Sequence, residues 1–101
     1  MLVYNVTVKI SWPYAAEWVK WMKEEHMPEM LDTGCFSSYR LLRLLEVDEE
    51  EGPTYVSQYE SASPELYNAY IARHSAILRQ KSHKRWGDHM VAFRTVMDQI
   101  G

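Results

Sequence analysis

The side chains in this chain whose ordinary titration lies nearest neutral pH are four histidines and one cysteine. His26 stands out because it closes the helical run KEEH and is followed by Met27 and Pro28 in KEEHMPEML. An imidazole there admits two readings. As a helix-end residue it would bond to the carbonyls that a last turn leaves free. Facing a cavity, it would anchor a ligand's carbonyl or phenol, or act as a general base, which makes it the candidate catalytic residue. Cys35 has no second cysteine to pair with and no base beside it, so it reads as a small packed hydrophobe. His83 and His89 flank a basic turn without an HExxH pattern or a facial triad, and His26 and His74 fall about 15 Å out of step on separate helices. No metal site is expected. The glycines form no phosphate-binding loop, and no cofactor is expected either.

Several elements must position His26. Residues 2 to 10, LVYNVTVKI, place Leu2, Tyr4, Val6, Val8 and Ile10 at period two, a strand with one face committed to a core. Over residues 14 to 27 the period changes. Ala15, Trp18, Val19 and His26 all lie within about 60° of Met22 on a helical wheel, so these residues predict an amphipathic helix. Pro28 has no N–H to continue it and biases Met27 out of helical geometry, and Thr33-Gly34 closes the helical region. CFSSYRLLRLLEV and TYVSQYES predict two strands joined as a hairpin across the acidic tip DEEEGP. Both alternating sets of the first are partly apolar, the pattern of a sheet covered on both faces. Ser63-Pro64-Glu65 carries the signals of a helix start, and Leu66, Tyr67, Tyr70, His74, Ile77 and Leu78 form a stripe along one helix that ends in RQKSHKR. DHMVAFRTVMDQI alternates as a fourth strand.

The order strand, helix, strand, strand, helix, strand predicts a single α+β domain over residues 1–101, the split βαβ or ferredoxin-like βαββαβ arrangement. Both helices then pack on one face of a four-stranded antiparallel sheet. The apolar residues of the other face need a cover, and a homodimer sealing sheet against sheet supplies it. The topology also brings the acidic tip near the basic helix end, where Glu49, Glu50 or Glu51 could pair with Lys81, Lys84 or Arg85. Where the helices stand off the sheet, Trp18, Met22, Tyr67 and Tyr70 would wall a cavity with His26 as its polar point and His74 on the facing stripe. These six are the expected ligand-binding residues, in a composition typical of small-molecule sites. Tyr59 and Arg94 are candidate companions whose sheet face periodicity leaves open.

Composition narrows the function further. The chain is 47% hydrophobic, enough for a modest core, and a net charge of −3 lacks the basic footprint that attracts nucleic acid. No apolar run approaches the roughly 20 residues of a membrane span, and the opening residues do not form a secretory leader, so a cytoplasmic location is expected.

The segments YNVTVKI, EWVKWMKEEHMPEML, TGCFSSYRLLRLL, TYVSQY and RWGDHMVAFRTVM resemble a bacterial family of domains of unknown function within the dimeric α+β barrel superfamily. That resemblance implies a ferredoxin-like protomer and a homodimer. The superfamily includes cofactor-independent quinone-forming monooxygenases, haem-degrading enzymes, muconolactone isomerases and stress-response barrels, and a histidine followed by a proline at a helix end is similar to a feature of several branches. The asparagine and histidine pattern of the haem-degrading branch is not recognisable in Asn5 and His74. The expectation is therefore a homodimer binding a small apolar or aromatic metabolite between helices and sheet. The alternative is a cofactor-independent monooxygenase or isomerase using His26.

Overall fold

Period-two alternation does produce the central strand, β1 (Leu2–Ile10), with Tyr4, Val8 and Ile10 almost wholly buried. The computed structural model describes all residues, Met1 to Gly101. β2 (Ser38–Arg43), β3 (Thr54–Ser61) and β4 (Met90–Asp98) complete one sheet in the order β2-β3-β1-β4, every neighbouring pair antiparallel. The helices cover one face, as the ferredoxin-like reading requires. Cross-strand register settles the side chains that periodicity left open: Tyr59 stands opposite Tyr4, and Arg94 opposite Val6, so both point to the helical face.

The first helical region departs from expectation at both ends. α1 (Trp12–Trp21) begins two residues before the predicted start, with Pro13 in its first turn. At the other end Pro28 does not expel Met27 from helical geometry. The chain instead widens into a π-turn (Met22–His26), in which the Met27 N–H reaches the Met22 carbonyl, and runs on as α2 (Met27–Asp32). A proline crowds the carbonyl four residues back, here that of Glu24, and a widened preceding turn relieves the crowding without ending the helix. The predicted stop at Thr33-Gly34 does hold. Gly34 has φ 77°, its N–H bonds to the Leu31 carbonyl, and the Thr33 hydroxyl donates to the Met30 carbonyl at 2.7 Å.

The second helical region is divided as well. Ser63 caps it as expected, accepting from the Leu66 N–H at 3.2 Å. The single predicted helix is, however, two: α3 (Pro64–Arg73) and α4 (Ser75–Trp86), separated at His74 with φ −125°. The Ser75 hydroxyl donates to the Ile71 carbonyl at 2.8 Å, satisfying the group that the Ser75 N–H would otherwise meet. A side chain inserted into the backbone ladder in this way bends a helix. Ile77, assigned to the inward stripe by continuous spacing, is consequently exposed, and Leu66 of the same stripe is exposed in the first turn of α3.

β2 is shorter than the sequence suggests, and Leu44, Leu45 and Val47 beyond it are exposed. The hairpin tip does lie at the exit of β1: the Trp12 N–H bonds to the Glu51 carbonyl, the Trp12 indole to the Glu49 carbonyl, and the Ser11 N–H to the His89 carbonyl. The expected ion pairs across that end do not form. Glu49 takes Arg43 of its own hairpin at 2.8 Å, and Lys81 reaches Glu29 of α2, also at 2.8 Å. For Glu49 the partner within its own hairpin leaves less chain to order, whereas Lys81 is held across the helical layer.

The uncovered face is mixed rather than uniformly apolar. Val91, Phe93, Met97 and Leu42 are exposed, but a chain of hydrogen bonds crosses the centre, from Arg40 to Gln58 at 2.8 Å, from Gln58 to Asn5 at 3.1 Å and from Asn5 to Thr7 at 3.3 Å. No helix is long and apolar enough to cross a membrane.

Gly52 lies where the hairpin tip presses on β1, and a Cβ there would fall on the Ile10 carbonyl, a backbone group unable to yield. Gly52→Ala is expected to lower stability by at least about 2 kcal/mol, read as a reduced urea midpoint with unchanged slope.

Candidate functional site

Between the helices and the sheet lies a small cavity. Its floor is Tyr4, Val6 and Val8 of β1, Ser57 of β3 and Met90, Ala92 and Arg94 of β4. Trp18 of α1, Met22 and His26 at the two ends of the π-turn, and Met30 of α2 form one wall; Tyr70 of α3 with Leu78, Arg79 and Ser82 of α4 forms the other. It encloses about 30 Å³, room for roughly two waters. Arg79, Ser82, Met90, Ala92 and Arg94 also line a neighbouring groove of about 260 Å³ along β4, which touches His83 and Gly87. In size the groove is close to the lower end of small-molecule sites.

Of the six residues expected to bind a ligand, Trp18, Met22, His26 and Tyr70 line this cavity, and Tyr67 and His74 do not. Tyr67 packs against the Tyr4 ring from a half-buried position, centroids 5.7 Å apart. His74 sits at the α3–α4 break and faces a separate groove with Glu29, Asp32 and Lys81. The break itself displaces it. Tyr59 is on the correct face but buried under Phe36 and Tyr4 rather than at the cavity. No group of three His, Cys, Asp or Glu side chains is gathered closely enough to hold an ion.

His26 is not a helix-end residue, because the helix continues past it, and its side chain caps nothing. Its ring stacks on Trp21 at 4.8 Å and 18°, and Trp21 in turn meets Trp86 edge-on at 5.8 Å. Burial pushes the imidazole down from 6.5 to about 4; Glu29 works against that shift, while Arg94 and Lys81 add to it. At neutral pH the ring is therefore uncharged, able both to donate and to accept a hydrogen bond. Burial raises the Tyr70 phenol well above its usual range, so it too stays protonated.

Of the cavity-lining residues, Trp18 keeps its indole N–H fully buried without a partner, a rare arrangement because an unpaired buried donor costs about 1–3 kcal/mol. Arg79 donates to the Tyr4 hydroxyl at 3.2 Å. Sequence reasoning missed Arg79, Ser57 and Tyr4 as site residues. Arg79 was hidden in the basic run, and only the break at His74 turns it toward the sheet.

The geometry can now be set beside known proteins. A family model for a domain of unknown function, DUF4286, matches residues 1–100. The chain belongs to that family. No protein of curated function matches it. Among solved structures, this DUF4286 chain is similar to HapK from Hahella chejuensis, with a TM-score of 0.72 at 12% identity over 100% of this chain and 94% of that one. SnoaB, a cofactor-independent oxygenase from Streptomyces nogalater, gives 0.67 at 10% identity over 97% and 92%. A dimeric ferredoxin-like protein from an uncultured marine organism gives 0.68 at 12% over 100% and 96%. At these identities the likeness establishes the ferredoxin-like fold of the DUF4286 chain.

Above about pH 6.5 the His26 ring is neutral in folded and unfolded chains alike; as pH falls toward 4 the unfolded chain takes up a proton that the folded one refuses, and stability drops. Between about pH 7 and pH 5 the wild type should lose about 2 kcal/mol more than His26→Phe, measured by urea denaturation at both pH values.

Proposed function

We propose that this chain is a homodimer that binds a small, mostly apolar or aromatic molecule between its helices and sheet. One observation supports this more than any other: a mostly apolar cavity lined by Trp18, Met22, Met30, Tyr70 and Met90 lies between helices and sheet, with the uncharged His26 among its few polar residues. Three methionines, Met22, Met30 and Met90, line the space, and their flexible side chains allow it to widen around a ring. Neutral His26 serves as a hydrogen-bond anchor. A cytoplasmic setting, in which the single buried Cys35 thiol stays reduced, suits the chain.

A second reading makes it an enzyme of the cofactor-independent oxygenase or isomerase type, with His26 as base. An uncharged imidazole at an apolar cavity favours it, and SnoaB is named as such an oxygenase. Against it, a group held near 4 is a weak proton acceptor at neutral pH, where efficient bases titrate near 7. Binding is the stronger reading. A thermal-shift screen of phenols, quinones and lactones should raise the wild-type melting temperature with at least one class, and His26→Ala should weaken that binding without any turnover by wild type. Turnover by wild type that is lost in a normally melting His26→Ala variant would instead establish the enzyme.

The dimer interface is assigned to the uncovered sheet face, where Phe93 and Val91 are 61% and 66% exposed. Apolar groups of that size favour burial against a second copy. Phe93→Glu is expected to convert a wild-type dimer to a monomer in sedimentation velocity; a monomeric wild type would end the assignment.

A further inference from the structure

Taking the binding reading above as its base, we propose that the occupant is a carboxylic acid with a flat apolar body, its carboxylate held between Arg79 and Arg94 beside the cavity. Both residues line the cavity and the neighbouring groove. No Asp or Glu lines either space, and the ion pairs of the protein, Arg43 with Glu49 and Lys81 with Glu29, use neither arginine. Arg79 spends one N–H on the neutral Tyr4 hydroxyl at 3.2 Å, leaving the remainder of its fork directed to no acceptor in the protein.

Two positive residues line this space without a counter-charge, and an incoming anion would make charge-assisted hydrogen bonds with them. Arg79 is exposed and Arg94 half-buried, so solvent screens the charge of Arg94 less. A guanidinium matches the two oxygens of a carboxylate in one plane. Phosphate would meet the same arginines, but a bare inorganic anion has nothing to place against Trp18, Met22 and Tyr70. The inferred class is therefore an aryl-substituted carboxylate.

Calorimetric titration of the intact protein with 3-(4-hydroxyphenyl)propanoate, its primary amide and inorganic phosphate decides the matter. The acid should bind at least about tenfold tighter than the amide, and phosphate should bind far more weakly than either. Arg79→Gln and Arg94→Gln should each weaken the acid about tenfold and leave the amide unchanged, and added salt should weaken only the acid. Equal affinity for acid and amide would overturn the carboxylate assignment while leaving the cavity reading intact. Phosphate binding as tightly as the acid would reduce the arginine pair to an anion patch and overturn the assignment too. Binding of none of the three overturns the assignment together with the reading beneath it. The wild-type ratio of acid to amide needs no variant to fold.

Discussion

The Tyr4 side chain ties the core to the site. Its ring lies among Phe36, Tyr59, Tyr67 and Tyr70 with centroid separations of 5.5 to 6.2 Å, the contacts that fix the aromatic centre of the protein. Its hydroxyl, at the far end of the same ring, accepts from Arg79. Packing on one side of this residue thus sets the position of a charged group on the other. Because Tyr4 is on the central strand, with β3 and β4 as its neighbours, its position is determined by two ladders of backbone hydrogen bonds rather than by a loop.

Both helical regions beside the site are irregular. The π-turn keeps Met22 and His26 on the sheet side, as regular helix phase would, and lets α2 resume past Pro28. The break at His74 resets the second region. On a straight helix Arg79 would stand about 180° from Tyr70, in solvent, whereas within α4 alone Ser75, Leu78, Arg79, Ser82 and Trp86 fall within about 60° of a common direction. An unbroken second helix would carry Arg79 away from the cavity and leave Arg94 of β4 as its one arginine.

Strands with one buried side were legible in the sequence, because β1 alternates without interruption and Tyr4, Val8 and Ile10 of its inward set are buried, although Asn5 of the other set is buried as well. The boundaries set by local chemistry were legible too: Ser63 before Pro64, and Thr33 before Gly34, each act within three residues of chain. The irregularities were not. A proline after Met27 signals a problem for the helix but not which solution the fold adopts, and a serine bonding to Ile71 leaves no mark on hydrophobic spacing. Of the site, Trp18, Met22, His26 and Tyr70 lie close to undisturbed helix phase and were readable. Tyr67, His74 and Arg79 were misplaced because their positions depend on where the second helix divides.

Thioethers wall much of the internal space, with Met22, Met30 and Met90 contributed by three different elements. Unbranched chains of this kind refill a gap by rotating about single bonds, so the outline of the space can be redrawn by point changes elsewhere in its lining while strands and helices stay where they are. They also make it vulnerable: peroxide would convert those sulfurs to sulfoxides and turn a greasy wall into a polar one.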